Sequence, residues 1–244
     1  MPLAQEGRRL LKGIILAAGE GGRLRPLTVD TPKVLLDVGG SPLIHYPITA
    51  LRLAGVTEIT VVLGHNARKV EDVLSDLYPE IRFLLNKNYS LGNALSIGVA
   101  RDFTEDDPFL VCMGDHPINR EIIESLLAYS TDGNILCVDY EASLPAQLND
   151  ATRVLVAGNG YIDEIGKSLK TWNAIDTGVF KMTSAVFSAI DLLSDVQAME
   201  VEISDVVRLF GTVGQPFATC DIDGAFWSDI DTLDDYSAIK TMLN

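Results

Sequence analysis

The chain has 244 residues, 47% of them hydrophobic, and carries 34 Asp and Glu against 19 Lys and Arg. A formal net charge of −15 argues against sequence-independent binding to a nucleic-acid backbone or an anionic bilayer. A small anionic ligand remains allowed, provided that positive charge is concentrated locally. The apolar content suffices for one large core, and no long Gly/Ser/Pro linker or repeat divides the chain, so a single domain over 11–241 is expected.

Cys112, Cys137 and Cys220 are isolated within or beside apolar sequence and read as reduced core residues, which points to a cytoplasmic location. The first residues, "MPLAQEGRRLLKG", hold no apolar run of signal length, and no later run is long enough to span a bilayer. The expectation is a soluble protein.

In chain order, apolar strands are read at 11–17, 58–64, 81–86 and 108–114. Ser41 followed by Pro42 predicts the start of a helix, although Pro47 must bend that helix or shift its start. Further helices are predicted over 67–78, 91–102 and 117–129. Short buried strands alternating with helices imply a Rossmann-like, mostly parallel sheet flanked by helices, with ligands beyond the carboxyl ends of the strands.

After residue 133 the pattern changes to alternation with a Gly-Asn-Gly turn, predicting a small antiparallel addition that forms an acceptor-site wall. Helices at 183–193 and 203–210, a strand at 216–222 and a last helix from about 232 complete the chain.

The stretch "GEGGRLR" at 19–25 allows a tight turn whose backbone donors approach phosphate oxygens, with Arg23 as a multidentate donor and Lys33 as a nearby point charge. It is not a P-loop, because no Gly-Lys-Ser/Thr follows. It also fails as a dinucleotide fingerprint, with Leu24 where the last glycine belongs.

"LAAGEGGRLRPLTVDTPKVLL" resembles the signature of sugar-phosphate nucleotidyltransferases. "SLGNALSI", "MGDH", "YIDEIGKSL", "IDTGVF" and "GAFWSDIDTLDDY" resemble successive blocks of CTP:inositol-1-phosphate cytidylyltransferases within that family. Gly22 stands where Thr is common and Leu233 where Pro is common, and neither change removes a charged group.

The resemblance implies a nucleotide site made of Leu16, Ala17, Ala18, Gly19, Gly21, Gly22, Arg23 and Lys33, with Gly92 and Asn93 at the base and ribose. It implies an acceptor site of His116, Glu164, Lys167, Asp176, Thr177 and Gly178. Arg23, Lys33 and Lys167 would act in catalysis, and by the same resemblance 11–130 would be mainly nucleotide-binding and 133–230 mainly acceptor- and metal-binding. Asp115, at the end of an apolar strand, and Asp229 and Asp231, two apart before the last helix, would hold Mg²⁺.

The activity implied is transfer of CMP from CTP to inositol-1-phosphate, with another sugar-1-phosphate and CTP, UTP or GTP as the alternative. A non-catalytic nucleotide sensor is the reading from a different class, and nicotinamide chemistry ranks below it. Because some relatives are fused to a membrane-embedded phosphatidyltransferase that consumes CDP-inositol, the resemblance also implies a functional link to such an enzyme, with the chain itself outside the membrane. A homodimer is a further expectation.

Overall fold

The computed structural model describes residues 11–196 and 200–243; residues 1–10, in which the sequence shows no signal-length run, lie outside the described residues. The first half holds β1 (Lys12–Ala17), β2 (Asp37–Val38), β3 (Ser41–Pro42), α1 (His45–Leu53), β4 (Glu58–Leu63), α2 (Ala67–Leu77), β5 (Arg82–Leu85), α3 (Ala94–Val99), α4 (Arg101–Thr104) and β6 (Phe109–Met113). There follow α5 (Arg120–Ala128), β7 (Ile135–Asp139), α6 (Pro145–Leu148), β8 (Arg153–Val156), β9 (Ile162–Gly166), β10 (Ala174–Met182), α7 (Ala185–Val196), α8 (Ile203–Thr212), β11 (Ala218–Asp221) and α9 (Leu233–Leu243).

Nine of the described strands form one sheet in the order β11-β7-β10-β6-β1-β4-β5, with β8 paired to β10 and β9 to β8. The pairs of β1 with β4 and β6, and of β4 with β5, are parallel. β10 runs antiparallel to β6 and β7, and β8 and β9 form an antiparallel hairpin.

β1 shows why this part of the chain folds as buried sheet. Ile15 and Ala17 face a core shared with α1, α2 and α5, while Ile14 and Leu16 face a second core shared with α3, α7 and α8. A strand covered by helices on both faces needs apolar side chains on both, which residues 14–17 supply, while Lys12 at its start reaches the Phe103 carbonyl and Glu105.

The chain passes from β1 outward to β4 and β5, then returns to β6 on the other side of β1. Strand order therefore reverses at β1, and a crevice opens beyond the carboxyl ends of β1 and β6. Gly19 and Asp115 emerge at that crevice. A third apolar cluster, with Leu24, Leu36, Leu43, Ile230 and Ile239 at its centre, lies beneath the glycine loop and joins it to α9.

Two local expectations are corrected. Ser41–Pro42 is a short strand paired with β2, and the helix starts at His45, so Pro47 falls in its first turn, where a missing N–H costs no intrahelical bond. The helix expected over 91–102 is broken into a 3-10 turn at Tyr89–Leu91 followed by α3 and α4. Gly92 sits at φ 104 with an ideal Cβ only 2.2 Å from the Val201 oxygen, so a crossing segment forces the break.

A buried strap fixes the loops of the second half. Trp227 donates from Nε1 to Asp139 Oδ2 at 2.7 Å, and the Trp227 carbonyl accepts from Gln147 Nε2 at 3.0 Å. Gln147 Oε1 in turn accepts the N–H groups of Ser143 and Leu144. The segment around α6 is thereby tied to the stretch that leads into Asp229 and Asp231. Trp227→Phe removes the donor to a buried carboxylate and should lower stability by about 1–3 kcal/mol. Urea unfolding measures this, and an unchanged midpoint would show that the indole N–H is dispensable.

Candidate active site

Two cavities meet at the crevice. One, of about 330 Å³, is walled by Leu16, Ala17, Ala18, Gly19, Lys33 and the segment around Gly92. The other, of about 440 Å³, is walled by Arg23, His116, Asp176, Gly178 and Trp227 among others. Asn93, Met113, Asp115, Lys167 and Glu202 line both, so the cavities share a wall.

The glycines act differently along the loop. Gly21 has φ +63 and an ideal Cβ 2.7 Å from Lys33 Cβ, so its bare backbone admits the lysine stem. At Gly19 and Gly22 an added Cβ meets nothing within 4 Å, which leaves the loop surface open. On the other wall, Asn93 Oδ1 accepts the N–H of Ile203 at 2.7 Å, pinning Asn93 between the cavities.

Lys33 is 6% exposed, and its ammonium lies among the acidic residues. It donates to Asp115 Oδ2 at 2.5 Å and Asp231 Oδ1 at 2.7 Å, with Asp229 Oδ1 at 3.9 Å. Burial opposes its charge, but Asp115, Asp229 and Asp231 override burial and raise its pKa well above the ordinary lysine value. Lys33 therefore stays protonated.

One oxygen from each of Asp115, Asp229 and Asp231 lies within 4.8 Å of the other two. Asp115 Oδ1 and Asp229 Oδ1 are buried without a hydrogen-bond partner. Carboxylate oxygens buried without a hydrogen bond are costly unless a cation lies close, and an all-oxygen donor set fits a hard divalent ion.

His116 Nδ1 lies 2.9 Å from the Thr177 carbonyl, which can only accept, so that nitrogen carries a proton. Nε2 lies 3.4 Å from Asp229 Oδ1 and 3.8 Å from Asp115 Oδ1. Burial disfavours a charged ring, yet these carboxylates outweigh it and raise the pKa to about 9. As an imidazolium, His116 is no base at neutral pH.

Arg23 spans two acids, reaching Asp231 Oδ2 at 2.5 Å and Asp150 Oδ2 at 2.6 Å. Lys167 Nζ donates to the same Asp150 oxygen at 2.7 Å. Gly178, at φ +76, leaves no room for a Cβ against Met113 and His116, and its N–H donates to Asp176 Oδ1 at 2.7 Å.

Two residues expected at the acceptor edge are not brought to it. Thr177 is fully buried and its hydroxyl donates to the Cys137 carbonyl, so only its own carbonyl serves the site, through His116. Glu164 is exposed on β9 and lines neither cavity. Gly21 and Gly22 likewise stand outside both linings. Residues that the sequence reading missed are Asp150, Gln147, Trp227 and Glu202. Of these, Trp227 stands within the block "GAFWSDIDTLDDY", and Asp150, Gln147 and Glu202 lie outside every block that carries the resemblance.

A family model described as a MobA-like NTP transferase domain matches residues 13–192. The chain belongs to that family. The crevice sets glycine-loop backbone beside cationic and acidic side chains. The solved inositol-1-phosphate CTP transferase from T. maritima superposes with a TM-score of 0.83 at 29% identity, covering 96% of this chain and 97% of that one.

The bifunctional IPC transferase and DIPP synthase of Archaeoglobus fulgidus is 30% identical over 93% of this chain and 42% of its own length. The low-salt glycan biosynthesis nucleotidyltransferase Agl11 of Haloferax volcanii is 29% identical over 90% of this chain and 62% of its own. The chain thus spans less than two thirds of either curated relative. Its enzyme class is nucleotidyltransferase, and its mostly parallel sheet with antiparallel additions is the fold of the T. maritima enzyme. Among the described residues no helix is long and apolar enough to cross a membrane.

Asp176 offers a test of how the site is built. Burial pushes its carboxyl up to about 6, although the Gly178 N–H and His116 pull the other way. A folded-state pKa above the unfolded value of about 4 means that its contribution to stability is fullest below pH 4 and is lost as pH rises from 4 to 6. Asp176→Asn should remove this component, so the variant gains stability relative to the parent as pH climbs through that window. Parallel thermal melts between pH 4 and 8 measure the difference, and a constant offset would refute the assignment.

Proposed function

We propose that this nucleotidyltransferase moves CMP from CTP to inositol-1-phosphate, giving CDP-inositol and pyrophosphate. The observation that carries the proposal is the pair of cavities meeting at Asp115 and Lys167, one walled by glycine-loop backbone and the other by polar side chains suited to a polyol. The likeness to the T. maritima inositol-1-phosphate CTP transferase supports this choice of substrates.

In this reading an acceptor phosphate oxygen forms a bond to the α-phosphorus of CTP while the bond from that phosphorus to the β-phosphate bridge breaks, and pyrophosphate leaves from the opposite side. The acceptor is already anionic, so no protein nucleophile or base is required. Gly19 and Gly21 shape the loop around the triphosphate, with Gly22 at its open edge. Arg23 and Lys33 offset charge on the departing pyrophosphate, and Lys167 orients the acceptor phosphate. Asp176 accepts hydrogen bonds from ring hydroxyls, Gly178 admits the ring, and Gly92 and Asn93 contact the base and ribose.

Asp115, Asp229 and Asp231 would hold Mg²⁺, which when bound supplies positive charge that orients and neutralises phosphate oxygens. The whole arrangement is assigned to one domain over 11–241, in a chain that works in the cytoplasm and supplies a membrane phosphatidyltransferase. A second reading, another sugar-1-phosphate with CTP, UTP or GTP, is favoured by the likeness to the glycan-biosynthesis nucleotidyltransferase.

Incubation with Mg²⁺, each of four NTPs and a panel of inositol and sugar monophosphates should release pyrophosphate fastest with CTP and inositol-1-phosphate. Preference for UTP or GTP with a hexose phosphate would move the assignment to the second reading. Asp115→Asn should lower kcat/KM by about 100-fold or more, because a phosphate-neutralising cation loses a ligand. Near-normal turnover of the folded variant would remove Asp115 from the metal set.

A further inference from the structure

Asp150 follows α6 in the segment 149–152 and has no part in the reaction as derived above. One of its oxygens, Oδ2, accepts from both Arg23 Nη1 at 2.6 Å and Lys167 Nζ at 2.7 Å. These two cations come from opposite halves of the chain, and the proposed function, on which this inference rests, gives one to the donor phosphates and the other to the acceptor phosphate. We propose that the Asp150 carboxylate is a displaceable stand-in for a phosphate oxygen, holding Arg23 and Lys167 together until a substrate phosphate replaces it and returning when pyrophosphate leaves.

A phosphate oxygen offers the same anionic acceptor to guanidinium and ammonium donors that the carboxylate does. The bridge is also built for exchange. The side chains of Arg23, Asp150 and Lys167 are 55%, 40% and 59% exposed, so each pair is held weakly and water reaches all three. Arg23's other partner, Asp231, is only 18% exposed, and Lys33 only 7%, so displacing Asp150 leaves the inner cluster in place. Asp150 lies outside the acidic triad, which separates this role from metal binding.

The sign of the effect follows from thermodynamics. The free energy of each ion pair already includes the cost of ordering its side chains, and because both pairs share Asp150 Oδ2, a phosphate that displaces this carboxylate breaks both. Removing the carboxylate removes that cost and also removes an anion beside an anionic ligand. Binding should tighten. The wild-type residue therefore weakens phosphate binding in exchange for keeping two like charges converged in the empty site and for easing product departure.

The test is calorimetric titration of inorganic pyrophosphate, with Mg²⁺ present, into the wild-type protein, Asp150→Asn and Asp150→Ser. Both variants should bind pyrophosphate about 3- to 30-fold more tightly, the range expected from deleting two exposed ion pairs. Pyrophosphate should also inhibit turnover at correspondingly lower concentration, with no rise in kcat. In a Lys167→Ala background, where one of the two pairs is already gone, the gain from Asp150→Asn should shrink. Equal or weaker pyrophosphate binding by the folded variants overturns the stand-in role, as does a full gain without Lys167. A wild-type protein that releases no pyrophosphate from any NTP and acceptor would instead overturn the proposed function, which keeps the two failures apart.

Discussion

The burial of the Lys33 ammonium among Asp115, Asp229 and Asp231 is the constraint around which the site is arranged. A lysine that is 6% exposed cannot remain charged without close anionic partners, and three carboxylates cannot be gathered without a cation between them. Each half makes the other tolerable. Because the partners lie at positions 33, 115, 229 and 231, the cluster can form only if three separate segments arrive together. Asp115 comes from the parallel register of β1 and β6. Lys33 and the acidic pair come from the small core under the glycine loop, where fully buried Ile230 points inward while its two neighbours point to the crevice.

The same cluster is incompletely satisfied. Lys33 uses Asp115 Oδ2 and Asp231 Oδ1, while Arg23 takes Asp231 Oδ2, yet Asp115 Oδ1 and Asp229 Oδ1 remain buried without hydrogen bonds. His116 reduces the repulsion by carrying a proton and a charge, and Asp176, a little further off, feels both its burial and Asp229. A domain optimised for stability alone would not keep such groups; their retention marks where binding has shaped the packing.

Much of the fold was legible because its signal is local. The unbroken apolar strands, the turn between β8 and β9, and the terminal helix all lie where periodicity and turn chemistry put them. The break at 91–102 was not legible, since it is imposed by backbone around Val201, a hundred residues away. Thr177 falls outside the cavity for a geometric reason, while His116, Lys167, Asp176 and Gly178 line it. Asp176 and Thr177 are neighbours on one strand, and a pleated strand turns consecutive side chains to opposite faces, so only one could reach the cavity. Asp150 had no signal at all. An exposed acid in an acidic chain looks ordinary until Arg23 and Lys167 converge on it.

The charges that line the two cavities call for an added cation independently of any likeness to other proteins. Seven carboxylates, those of Asp115, Asp150, Asp176, Glu200, Glu202, Asp229 and Asp231, face four cationic side chains, Arg23, Lys33, His116 and Lys167. A crevice with this excess of negative charge repels polyanionic ligands such as a triphosphate or a phosphate monoester. Lys33 and His116 are already committed to the inner acids, and Arg23 and Lys167 are shared with Asp150, so the protein's own positive charge is largely spent before any substrate arrives. Polyanionic ligands can enter only if they bring cations with them or displace the internal acids, and the buried unpaired oxygens of Asp115 and Asp229 show where an incoming divalent ion would gain most.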